Sequence, residues 1–149
     1  MADTTYKIIK DKLLSVIGAI DKIQVIKGYS TLELSGYPAV TIYPSNQSQA
    51  EYDTTIDNKR YYTFTISAFY DLPNQGMETA QDALFDLVDD IMDALDDNEF
   101  LTGISLPADY TMVGIRPTFT MWGTTKAGDK ELLVADVTAS VVVTHDITT

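Results

Sequence analysis

A chain of 149 residues with 45% hydrophobic side chains can bury about two-thirds of its unfolded surface, and it reads as a single α+β domain spanning 1–149. The absence of cysteine excludes disulfides and thiolate metal sites, and no apolar run reaches the roughly 20 residues that a membrane span requires. The formal net charge is −12 and uneven: residues 1–60 hold seven basic and seven acidic side chains, whereas 61–149 hold three basic and fifteen acidic, a balance that disfavours specific nucleic-acid binding and favours basic partners.

The opening MADTTYKIIKDKLL intersperses charge through an amphipathic pattern and does not read as a secretory signal. Tyr6, Ile9, Leu13, Val16, Ile17 and Ile20 recur at helical spacing and predict a helix over Thr5–Ile20. A short β-rich run follows at Ile23–Ile26, and then a proline-bounded strand over Ala39–Tyr43. Residues 45–58 are polar and aperiodic, and read as a long loop or protruding hairpin. Over Arg60–Tyr70, Tyr62, Phe64, Ile66, Ala68 and Tyr70 alternate with Tyr61, Thr63, Thr65 and Ser67, the period of a strand.

After the turn cluster Asp71–Gly76, a second helix is predicted over Met77–Asp97, with an apolar stripe of Met77, Ala80, Leu84, Leu87, Val88, Ile91 and Leu95. Two further strands are expected near Thr111–Trp122 and Leu132–His145, joined by a hairpin tip at 123–131. Pro117 places the first of them at a sheet edge or on a bulge. The expected fold is α+β, in the order α-β-β-β-α-β-β. It has a mixed, mainly antiparallel sheet, two amphipathic helices on one face and a protruding β-hairpin.

None of the eight glycines forms a phosphate-binding loop, and His145 is the single histidine, so neither a His-pair metal site nor a Ser–His relay can be built. His145, at a strand end, reads as a surface or capped residue, and no catalytic residue, metal or cofactor is expected. The second helix is the conspicuous feature: nine carboxylates fall within residues 78–99, and Glu78, Asp82, Asp86, Asp89, Asp93 and Asp96 form one stripe opposite the apolar one. Three readings stand open for it: a solvated face, a divalent-metal or paired-carboxylate site, and a functional electrostatic surface facing a lumen or partner. Asp96-Asp97-Asn98-Glu99 does not fit a calcium loop, because Leu101 stands where the turn glycine belongs. Like charges one turn apart cost a helix about 0.2–0.5 kcal/mol per pair, which favours a use for them. The tyrosines of the central strand read as packing residues. Trp122 is a candidate subunit contact. So are Lys126 and Asp129 on the hairpin tip, and Tyr52 and Asp53 in the 45–58 segment.

The layout has a likeness. A helix leads through Leu32-Glu33-Leu34-Ser35-Gly36-Tyr37-Pro38-Ala39-Val40-Thr41-Ile42-Tyr43-Pro44 to Arg60-Tyr61-Tyr62-Thr63-Phe64-Thr65-Ile66, then to the acidic helix containing Leu84-Phe85-Asp86-Leu87-Val88-Asp89-Asp90-Ile91-Met92-Asp93-Ala94-Leu95 and a closing hairpin. In order and texture, from about Tyr6 to Ile147, this resembles the tail-terminator and tail-completion proteins of long-tailed bacteriophages. The resemblance implies a non-enzymatic virion subunit in the tail or neck, assembled in the host cytoplasm into a homo-oligomeric ring, a hexamer. That ring would end tail-tube polymerisation, contacting the tail-tube protein on one side and the head-connector or stopper protein on the other. DNA would pass through the lumen without specific binding, and no membrane is involved. The resemblance carries no functional residue across. Another neck or connector protein, an acidic protein-binding module or assembly chaperone, and a carboxylate enzyme are the competing readings.

Overall fold

The computed structural model describes residues 5–45, 49–52, 57–72, 76–98, 101 and 106–146. In chain order the elements are α1 (Thr5–Gly18), β1 (Val25–Lys27), β2 (Ala39–Pro44), β3 (Gln49–Tyr52), β4 (Asp57–Asp71), α2 (Met77–Asp97), β5 (Tyr110–Ala127) and β6 (Lys130–Asp146). The α+β class and the helix-strand order expected from the sequence are observed, with the short β3 added inside the 45–58 segment. β3 pairs with β4 as a hairpin, Gln49 opposite Tyr61 and Tyr52 opposite Asn58.

The sheet runs β1-β2-β4-β6-β5, with β1 parallel to β2 and the other pairs antiparallel. Register decides which side chains face the helices. Phe64, Ile66 and Ala68 stand opposite Ala139, Val137 and Ala135. All six are fully buried, and they form one core with Ile9, Leu13 and Ile17 of α1 and Leu84, Leu87, Ile91 and Leu95 of α2. The alanines leave room for the helix above them, and the branched side chains fill the space between. α2 lies over β4, β5 and β6, while α1 covers β1 and β2 and touches α2.

A second, smaller cluster is something the alternating pattern does not announce. On the face away from the helices, Ala39, Phe69 and Leu132 are buried beneath Leu34 and Tyr37 of the irregular 28–38 segment. The rest of that face is rich in threonine and serine, and buried Ser67 donates to Asp136 at 2.6 Å.

Several boundaries move for local reasons. α1 ends at Gly18, because the amides of Ile20 and Ile23 bond to the carbonyls of Ile17 and Ile20 in a turn, which delays the first strand to Val25. Met77, assigned to the apolar stripe of α2, is exposed at the first residue of that helix, and burial begins one turn later at Ala80; the other six stripe residues are buried. The 123–131 tip contracts to Gly128 and Asp129, because Gly123–Ala127 and Lys130–Glu131 continue the ladder. Gly128 has φ +64° at the first central position of this two-residue turn, as a type II′ hairpin demands. Lys130 fastens the turn by pairing with Asp71 at 3.3 Å and lying over the Tyr37 ring.

Candidate interaction surfaces

The acidic stripe is real and solvent-facing. Glu78, Asp82, Asp86, Asp89, Asp93 and Asp96 are all exposed on α2. Helical phase explains this: the six buried apolar residues occupy one arc, and carboxylates three and four apart occupy the opposite one. A cation from elsewhere in the fold meets one acid of this helix outside the stripe: Lys22 Nζ lies 2.7 Å from Asp90, on the flank of α2 that faces α1. That hydrogen bond, with the charges of Asp90 and Asp86, raises the Lys22 pKa above its ordinary value. Among the described residues no group of three His, Asp or Glu side chains is placed to hold a metal ion.

The polar side chains elsewhere form packing ladders. Ser67 gives its one hydroxyl proton to Asp136 and so accepts from the Tyr43 hydroxyl at 3.2 Å, a cross-strand chain without an imidazole beside it. His145, expected at the surface or capped, is half-buried and stacks on Tyr110 with ring centroids 4.3 Å apart. Arg60 donates to the Tyr110 hydroxyl at 2.8 Å and lies over its ring. The Arg60 pKa is raised, first by its hydrogen bond to Tyr62. β4, β5 and β6 bring these residues together at the end of the sheet remote from Gly128. A cleft of about 440 Å³ sits at the opposite end, lined by Leu34, Tyr37, Lys126 and Lys130 among others.

β5 forms the exposed edge of the sheet, as Pro117 implied, and carries two bulges, at Met112/Gly114 and Phe119/Met121. The second bulge has a specific effect. It turns both Phe119 and Trp122 to the helix side, opposite Val137 and Ala135, where strict alternation would have separated them. Phe85 of α2 meets both rings, Trp122 edge-on at 5.7 Å and Phe119 at 5.9 Å. Yet Phe119 remains 39% exposed and Trp122 45%. Met121, on the other face, is 58% exposed. Trp122 therefore belongs to an aromatic step at the rim, and sequence reasoning missed Phe85, Phe119 and Met121 beside it. The signal was the bulge, which no period reveals.

Of the other candidate contacts, Lys126 lines the cleft and Asp129 is exposed at the turn, both away from Trp122. Tyr52 closes β3. Asp53 lies outside the described residues.

The chain resembles in fold a chain from the virion of a native gene transfer agent (GTA) particle. The TM-score is 0.51 at 16% identity, and the match covers 95% of each chain. At that identity the likeness is one of fold. No family model and no curated protein matches the sequence.

Proposed function

We propose that this chain is a structural virion protein of the tail or neck, a single domain whose copies close into a ring that ends tail-tube growth and receives the head connector. The observation that supports this most is the fold likeness to a virion chain over 95% of both lengths.

On this reading the mechanism is steric and interfacial. A subunit docks by its surfaces and does no covalent chemistry. The exposed carboxylates of α2 give a wall or rim that phosphates do not adhere to, so DNA in transit is not held. Six copies at −12 each carry −72 formal charges, so added salt relieves subunit repulsion and favours assembly.

The test is mass in solution, by light scattering after size exclusion, across protein concentration and at low and high salt. A particle of six subunits supports the terminator ring, and one of twelve moves the assignment to a connector. A monomer in every condition, and still unattached when tail tubes are added, would favour the acidic binding-module reading instead.

A further inference from the structure

The two lateral edges of the molecule differ in charge and shape. At the β5 edge the step of Phe85, Phe119 and Trp122 is half open to solvent, and Asp82 and Asp89 stand one turn to either side of Phe85 on α2. At the other edge lie β1 and α1. Gly28 sits against Leu14 and the Lys10 side chain, and Tyr29 follows it with 58% exposure. α1 holds three lysines and one aspartate, whereas α2 holds eight carboxylates and no base.

These two helices already lie side by side within the subunit, and the Lys22–Asp90 pair spans that flank of α2. Phe85 and Asp90 are five residues apart, about 140° around the helix, and among the described residues no helix lies on the flank of α2 towards β5. The β5 backbone is a poor site for adding a strand, because Pro117 lacks an N–H and two bulges interrupt the row. A partner at this edge must dock through side chains.

We propose that the β5 edge of one copy, Phe85, Phe119 and Trp122 beneath Asp82 and Asp89, docks head to tail on the α1/β1 edge of a second copy, at Tyr29 and Lys10. The helix layer would then continue across the joint with alternating charge. Such a contact is heterologous and closes rings when its rotation allows. The aromatic step supplies the buried centre, and the rim charges set orientation. This inference deepens the ring reading and rests on it.

The chain has no cysteine, so single introduced thiols report contacts without background. Tyr29→Cys and Met121→Cys chains are prepared separately, then treated with a short bismaleimide alone and mixed, with light scattering alongside. Cross-linked dimers are expected in the mixture and in neither chain alone. Trp122→Ala, added to the Met121→Cys chain, should weaken association about tenfold or more. Should that variant fail to fold, Asp89→Lys on the same chain should weaken cross-linking, and Lys10→Glu on the Tyr29→Cys partner should restore it. Dimers formed by either chain alone would mean a two-fold contact and overturn the proposal. An oligomer by mass without the mixed cross-link would overturn this edge assignment while leaving the ring intact. Monomers with no cross-link at any concentration would overturn it too, and the tail-tube recruitment test would then judge the ring reading separately.

Discussion

Replacing Asp93 by Asn should make the protein more stable. Asp93 is exposed on α2, with Asp89 and Asp90 four and three residues before it and Asp96 and Asp97 three and four after. Each like-charge pair at those spacings costs about 0.2–0.5 kcal/mol, so four of them amount to roughly 1–2 kcal/mol. The Asp90 charge is partly met by Lys22 at 2.7 Å, which moves the expected gain towards about 1 kcal/mol. Asn and Asp have similar helix propensities, so the substitution isolates charge. In a chain of this size the melting temperature should rise by about 2–4 °C. Thermal and urea melts at low ionic strength would show the full gain. The same melts near 1 M salt, where the Debye length is about 3 Å, should show it largely gone. A variant no more stable than the parent at low salt would refute the reasoning, since the acidic stripe would then cost the fold nothing. A stabilised variant that assembles normally would identify the stripe as a solvated face; one that assembles or passes DNA poorly would identify it as a surface retained for use.

Two other outcomes follow from packing and backbone. Ile91→Ala, at a fully buried position beneath α2, should cost about 2–5 kcal/mol in urea unfolding, whereas Met77→Ala, at an exposed one, should stay within about 0.5 kcal/mol; equal effects would contradict the observed phase of α2. Gly128→Val should destabilise by about 1–3 kcal/mol although nothing lies within 4 Å of the added Cβ, because φ +64° is unfavourable for a β-branched residue; an unchanged melt would mean the turn is of another type.

Much of the architecture was legible in residue order alone. The α2 helix, Met77–Asp97, has the boundaries its apolar period marks, because six apolar residues at spacings of three and four can be buried together only on a helix. The strict alternation of Leu133, Ala135, Val137, Ala139, Val141 and Val143 likewise dictated β6 and its core face. The charge of α2, and its exposure, follow from composition and phase. Tertiary structure alone decided the rest. The 28–38 segment has no period, and it covers Phe69 and Leu132 only because β2 and β4 place Ala39 beside them. The Lys22–Asp90 pair joins positions 68 residues apart, and only the packing of α1 beside α2 brings them to 2.7 Å. The aromatic step depends on one extra residue in β5, which sets Phe119 and Trp122 on a common face against Phe85. Local patterns report how a segment wishes to be buried, whereas a bulge, a crossing loop or an edge is settled by the partner strand. That is why the helices and the core could be read from the sequence, and the surface through which this chain would meet another only in part, through Trp122 and the acids of α2.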